Sequence, residues 1–563
     1  MPAPIGGDGP VLVIAGPPTA NSDLHLGHVA GPYLGADVHV RYLRAAGRAV
    51  VFASCTDDYQ TFVVTTAERL GMTPPELVAK SSALIPRTFE AMGIELDGFS
   101  PTDDGYRSAV YDYVGRLYAS GKFRMKTVPL PYSERTGKYL VEGLVCGDCP
   151  TCLADCRGGF CEACGHPIPP GGLLDPRSIS DPDDEVTFRD ADILVFPLED
   201  YRERLAAYYE SKATSWRPHA LALMRELLAK PLPDYPITYP VGWGLPAPFP
   251  ETPGQTLNAW VEGMPASMYC TAYAQRRLGH DSPGSDDAWL AGHGGKPVVF
   301  MGFDPLYVWA LVHVAELMAH EGRYALPDNF LCNEFYELEN EKFSSSKGHL
   351  VWARDLVAEV PRDVVRFYLC LSAPEHARTS FSRATLDKVA EQRLVAPWNE
   401  LAATLAKLSA EVGARPLPVS PQTPAQAAAI VARFSVCYEL ETFSLTRAAE
   451  LMAQNVERLL GRAQRALTEG LATGALPNGS RSTDTLCVRL GDLFLQLRAL
   501  ISCAAPILVD LAANAARAGD VDLRMHAGAF DRSQTTAFPV PSLSLRTAPA
   551  SQADRLSGAL RMV

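Results

Sequence analysis

Val11-Leu12-Val13-Ile14-Ala15-Gly16-Pro17-Pro18-Thr19-Ala20-Asn21-Ser22-Asp23-Leu24-His25-Leu26-Gly27-His28 is the stretch on which the fold turns. Val11 to Ala15 is apolar at every position, the pattern of a parallel strand buried on both faces. A strand that turns through glycine and prolines into a helix leaves free N–H groups at the helix start, and these attract anions. His25 and His28 are three apart and share one helical face. Both can therefore reach a single phosphate chain. A capped helix carrying two surface histidines would give the same pattern.

Working outward, Glu341-Lys342-Phe343-Ser344-Ser345-Ser346-Lys347-Gly348 puts two lysines in a stretch that on composition alone is a solvated turn. Six of the 13 cysteines fall between 146 and 164. Cys149-Pro150-Thr151-Cys152 and Cys161-Glu162-Ala163-Cys164 form two C-x-x-C knuckles, and four thiolates so spaced suit tetrahedral zinc. Cys146 and Cys156 are extra, either an incomplete second site or spare thiols.

The chain of 563 residues, 47% hydrophobic and 20% charged, is long enough for several compact units. Strand-like and helical runs alternate over residues 1–125 and again over 236–385, which predicts an α/β fold with a parallel sheet. Residues 126–235, with the knuckles and many prolines, read as an insertion. Residues 386–520 predict an all-α helical bundle, with a loop at Gly470–Thr483, and 521–563 a tail packed along the surface or partly disordered. Single helices are expected from about His25 to Ala46 and from Tyr307 to His320. The net charge of −13 argues against a nucleic-acid-coating surface. No apolar run reaches the ~20 residues of a membrane span, and no targeting segment is evident, so a cytoplasmic monomer is expected.

The His25–His28 segment is similar to the HIGH signature of class I aminoacyl-tRNA synthetases. The Lys342–Lys347 segment resembles their KMSKS loop, in the same order and at about the same distance. The resemblance implies that His25 and His28 hold ATP phosphates, within a site built by Gly16, Pro18, Asn21 and Gly27. It implies that Lys342 and Lys347, with Phe343, Ser344 and Ser346, close over ATP and neutralise charge on the α-phosphate. Ser345 stands where the family has a second lysine, so which lysine carries the charge is open. From Val11 to about Ala515 the order of parts looks like methionyl-tRNA synthetase: a Rossmann-type half, a zinc insertion, a second half and a helical bundle.

Within that resemblance Asp57, after the strand Val50–Ser54, holds the substrate ammonium, or else caps a helix. Asp304 in Gly302-Phe303-Asp304 contacts the ribose. Trp260 lines the amino-acid pocket, or else packs in the core. Departures are as informative. Thr19 replaces a tyrosine over the substrate, and Trp309, following Pro305, replaces a histidine at the end of the thioether pocket. Asn333 replaces an ATP-contacting histidine. A mismatched methylene costs ~1–3 kcal/mol in such a pocket, so a shorter or more polar amino acid than methionine is expected. In the bundle, Leu451–Leu460 matches the anticodon helix. Asn455 is a displaced equivalent of its asparagine, but no tryptophan follows Trp398, and residues 386–563 carry 18 Lys/Arg against 16 Asp/Glu.

The implied reaction condenses an amino acid with ATP and Mg2+ to an aminoacyl-adenylate and pyrophosphate, in a chain holding one structural Zn2+. The expected acceptor is a small nucleophile rather than tRNA, as in methionyl-like enzymes of natural-product pathways that work beside a partner enzyme. The alternatives are a methionine–tRNA ligase of translation, and an inactive paralogue that binds ATP or adenylate as a regulator.

Overall fold

Five parallel strands form the central sheet of the computed structural model, which describes residues 9–343, 348–472 and 480–547. Their spatial order is Asn329–Asn333, Lys296–Gly302, Val11–Ala15, Val50–Cys55 and Gly98–Ser100. Val13 lies beside Val298 on one side and Phe52 on the other. Alternation sends Val11, Val13 and Ala15 into one apolar layer and Leu12 and Ile14 into the other. The first layer is continuous with the core of the C-terminal helices, so the sheet and the bundle share one hydrophobic body.

Both helices that follow the two middle strands begin irregularly. The expected helix from His25 is broken into Leu26–His28, a π-helical turn Val29–Tyr33, and Leu34–Ala45. Pro32 has no N–H to donate, and Gly31 takes a non-helical ψ of −107°. Likewise Tyr307–Val312 is π-helical before His313–Ala319. Such wide turns concentrate at functional sites.

Between the two halves of the sheet, Arg124–Ser133 pairs antiparallel with Val186–Phe196. The knuckle hangs from that ribbon on the short strands Val145–Asp148, Asp155–Arg157 and Leu174–Ser178. Downstream, Tyr336–Leu338 turns through Glu339 and Asn340, both at positive φ, into Glu341–Lys342. Two successive left-handed residues make the tight hairpin turn that matches strand twist, and this turn aims Lys342.

The bundle comprises Ala396–Val412, Thr423–Tyr438, Leu445–Ala472, Ser480–Ala504 and Val509–Gly519. Of the expected loop at Gly470–Thr483, residues 473–479 lie outside the described residues and the rest is helical. Leu471 and Ala472 continue one helix, and the next begins at Ser480. The tail runs along the surface as far as it is described. Gln534–Thr535 pairs with Leu417–Pro418, Trp398 Nε1 donates to Pro541 O at 2.7 Å, and Thr547 N donates to Glu359 O at 3.0 Å. Arg366 locks the sheet to the bundle. Its guanidinium, fully buried, pairs with Asp37 at 2.6 Å and donates to the carbonyls of Met92, Gly93, Pro506 and Ile507. Among the described residues no helix is long and apolar enough to cross a membrane.

Candidate active site

Strand order reverses between Val11–Ala15 and Lys296–Gly302, and open parallel sheets take ligands in the crevice beyond such a switch point. A cleft of about 360 Å3 lies there. Fifteen residues singled out from the sequence line it: Gly16, Pro18, Thr19, Asn21, His25, Gly27, His28, Asp57, Trp260, Gly302, Asp304, Pro305, Trp309, Lys342 and Phe343. Ser344, Ser345, Ser346 and Lys347 lie outside the described residues.

Backbone amides fix the form of both histidines. Gly27 N donates to His25 Nδ1 at 3.1 Å, and His25 N donates to His28 Nδ1 at 3.3 Å. With each Nδ1 an acceptor, the neutral ring carries its proton on Nε2. Burial lowers His28 to about 4, and burial with neighbouring positive charge holds His25 well below the usual histidine range. The two rings stack with centroids 3.8 Å apart. They offer the cleft a pair of neutral Nε2–H donors, suited to phosphate oxygens.

The lysine segment meets this pair directly. Phe343 stacks on His25 at 4.8 Å, with the rings 3° from parallel. A Cβ on Gly27 would fall 2.9 Å from His25 Cε1 and 3.2 Å from Phe343, so only glycine admits the stack. Beyond the segment, Leu26 N donates to Val351 O and Ala353 N to Leu24 O. Imidazoles and lysine hairpin thus share one cleft. Lys342 Nζ pairs with Glu162, which sits inside the second cysteine knuckle. That contact was not legible in the sequence, where the two residues are far apart.

Asp57 caps no helix, because Gln60 occupies the cap of Thr61–Leu70. Its loop is tied to the first by Asp57 N donating to Pro18 O and Ala20 N to Asp57 O. Oδ2 accepts from Gln60 Nε2 at 2.7 Å. Burial and the charge of Asp58 push the Asp57 carboxyl up to about 7. On the opposite lip, burial and Glu162 push Asp304 up to about 6, against the pull of Lys342. A Cβ on Gly302 would stand 2.9 Å from Asp304 Oδ1. Asn333 is not on the cleft wall. Its amide donates to the carbonyls of Ala30 and Gly31 and accepts from Arg217, tying the edge strand to the first π turn.

Trp260 is half-buried and meets Phe160 of the knuckle edge to face at 5.0 Å. Trp309 is 4% exposed and packs edge to face on His313 at 5.2 Å. Two wall residues escaped the sequence reading. Glu262 is 1% exposed, and its Oε2 accepts from Tyr106 OH at 2.9 Å. Glu262 stands two residues from Trp260, but only the fold brings Tyr106 to it from a helix of the first half.

The four knuckle thiols converge. Cys149 Sγ lies 3.8 Å from Cys164 Sγ, and Cys152 Sγ 3.7 Å from Cys161 Sγ. A tetrahedron of sulfurs ~2.3 Å from zinc has edges of about 3.8 Å, so the donor set fits that ion. Thr151 N donates to Cys149 Sγ at 3.3 Å, the kind of amide contact that favours thiolate. Cys146 and Cys156 lie on neighbouring strands of the knuckle's three-stranded sheet, outside the converging set of four, although Cys156 packs against Cys149 and Cys161.

Comparison with known proteins agrees with this geometry. The family model for class I tRNA synthetases (M) matches residues 11–405. The methionine–tRNA ligase of Roseiflexus sp. (strain RS-1) is 32% identical over 425 residues, 72% of this chain and 70% of that protein. That of Roseiflexus castenholzii is 32% identical over 406 residues, 70% and 67%. In fold, the chain matches Mycobacterium tuberculosis methionyl-tRNA synthetase in complex with methionyl-adenylate, with a TM-score of 0.74, 19% identity, and 95% and 99% of the two chains covered. The apo form of that enzyme matches with a TM-score of 0.70. The chain is a member of the methionyl-tRNA synthetase family of class I synthetases, ATP-dependent ligases that form aminoacyl-adenylates.

Proposed function

We propose that the protein activates an amino acid other than methionine and passes it to a small nucleophile rather than to tRNA. The observation that carries this reading is the buried Trp309, which lines the cleft where the family resemblance calls for a histidine beside a thioether. Thr19 removes the opposite wall.

In the first step the amino-acid carboxylate attacks the α-phosphorus of ATP. A carboxyl oxygen–phosphorus bond forms, the bond to the β-phosphate oxygen breaks, and pyrophosphate leaves. Asp57 holds the ammonium and Asp304 the ribose hydroxyls. His25 and His28 donate Nε2–H to the phosphates, and Lys342 and Lys347 meet the charge on the α-phosphate. Such preorganised donors are worth a few kcal/mol each. Mg2+ would accompany ATP and supply charge neutralisation at the phosphates. In the second step an acceptor hydroxyl or amine attacks the carbonyl carbon, loses its proton to solvent and releases AMP. A partner enzyme would then take the ester or amide onward.

The bundle supports the small acceptor. Asn455 spends its amide inside its own helix, donating to Leu451 O at 2.8 Å and accepting from Arg458 at 3.1 Å. The relatives named methionine–tRNA ligase favour a second reading, methionine activation for translation. Amino-acid-dependent pyrophosphate exchange over a full panel, followed by charging of total tRNA, decides between them. Methionine as the best substrate with tRNA charging refutes the proposal. Exchange led by another amino acid, with no charged tRNA, is the expected result.

A further inference from the structure

The side-chain end of the cleft holds a carboxyl oxygen with no partner. Glu262 Oε2 is engaged by Tyr106, but Oε1 is buried and accepts no hydrogen bond among the described residues. Tyr106 is itself held. Its helix, Asp104–Ala119, is capped by Asp103, whose carboxylate takes Tyr106 N at 3.0 Å and Tyr269 OH at 2.7 Å. Glu262 therefore cannot swing toward solvent without leaving a buried phenol behind. Gly263 next to it allows close packing, since a Cβ there would meet His313 Nε2 at 2.8 Å and Trp309 at 3.3 Å. The carboxyl is thus held by a tyrosine, on the cleft that Trp309 and Asp57 also line.

A buried acceptor left unmet costs about 1–3 kcal/mol, more when charged. A thioether or alkyl side chain cannot meet it. We infer that Glu262 is a specificity residue that selects an amino acid whose short side chain ends in a hydrogen-bond donor, an ammonium or a hydroxyl, received by Oε1. The inference rests on the proposed activation of a non-methionine amino acid and names its substrate class. Asp57 and Glu262 then divide the work, one taking the α-ammonium and the other the side-chain donor. Burial and the proximity of Asp57 raise the Glu262 carboxyl well above the usual carboxylate range. Sites built to bond a substrate OH or NH reject analogues lacking it by factors of ~10^4–10^5, far beyond what a methylene achieves.

The test is pyrophosphate exchange with matched pairs: serine against O-methylserine and 2-aminobutyrate, and 2,4-diaminobutyrate against norvaline. The expected result is a donor-bearing member at least ~100-fold better in kcat/KM than its partner, with the ratio falling below tenfold in Glu262→Met. Glu262→Gln keeps an oxygen but loses the charge. It lowers an ammonium substrate more than tenfold and a hydroxyl substrate less than threefold, which separates the two donors. Thermal melting of each variant guards against misfolding, and a folded Glu262→Met that keeps the wild-type ratio overturns the inference. Alanine, valine or another apolar non-methionine residue as best substrate also overturns it, but leaves the proposed function standing. Methionine as best substrate, or no exchange with any amino acid, overturns both.

Discussion

Replacing Asp57 by asparagine removes a carboxyl that burial and Asp58 push from the ordinary 3.8 up to about 7. A raised carboxyl works against folding in a definite pH window. Between about pH 4 and 7 the unfolded chain has given up this proton while the folded chain keeps it, so the penalty grows as pH rises and is complete above about 7. The span of roughly 3 pH units, at ~1.36 kcal/mol each, sets an upper bound of about 4 kcal/mol. Asp57 faces the water of the cleft, which screens it, and about half of that, roughly 2 kcal/mol, is expected. Asparagine keeps an oxygen for Gln60 Nε2. Asp57→Asn should therefore stabilise by about 2 kcal/mol at pH 8 and by only about 0.5 kcal/mol at pH 4.5, read from urea unfolding midpoints at the two values. The same variant should lose ~10–100-fold in kcat/KM for the amino acid, the worth of a hydrogen bond between charged groups. In the wild type that kcat/KM should climb about tenfold per pH unit up to about 7 and then level off. A gain in stability that is equal at both pH values, or a loss at pH 8, refutes the reasoning.

Glu162→Gln frees Lys342 from an ion pair that competes with phosphate. KM for ATP should fall about two- to fivefold, in keeping with the ~0–1 kcal/mol of an exposed pair, and an unchanged or higher KM in exchange assays argues against competition. Atomic absorption should find one zinc per chain. Chelation should lower kcat/KM for both substrates together with the melting temperature, because Phe160 and Glu162 carry the knuckle to the cleft wall, and a chelated protein with wild-type kinetics would contradict this. Arg366→Met leaves Asp37 buried without its strongest partner and should cost about 3–5 kcal/mol in denaturant unfolding. Adding Asp37→Leu should restore part of it, and strict additivity of the two losses would exclude the pair as the cause.

The sheet, the inserted knuckle and the helical bundle were legible because each leaves a periodic or spaced signal: apolar runs, paired C-x-x-C steps, and helical stripes. So were the cleft residues carried by turns that follow strands, since a strand end fixes where the next few residues must stand. What stayed hidden depends on contacts between distant segments. Glu162 reads as a spacer between two cysteines, and nothing local says that it reaches Lys342. Glu262 reads as the first-turn acid of a helix until Tyr106 is placed on it. The expected helix from His25 runs unbroken through Pro32, and nothing local says that the chain there opens into a π turn held by Asn333, whose amide spans some 300 positions to reach Ala30 and Gly31.

These two kinds of residue also divide the chemistry. His25, Gly27, His28 and Asp304 are fixed by main-chain bonds or close approach at the switch point, so in the proposed function phosphate and ribose geometry follows from the sheet itself. In the proposed function the departures from the family pattern, Thr19 and Trp309, stand instead at the amino-acid end, with Glu262 on the same cleft. Adenylate formation makes the same demand on phosphate geometry whatever the amino acid, because the attacking group is always a carboxylate. Side-chain choice depends only on what fills the far wall. A chain can therefore keep the first set and exchange the second, changing its substrate without rebuilding its catalytic step. If that separation holds, substitutions at Trp309 should move KM among amino acids while leaving KM for ATP within a factor of about two.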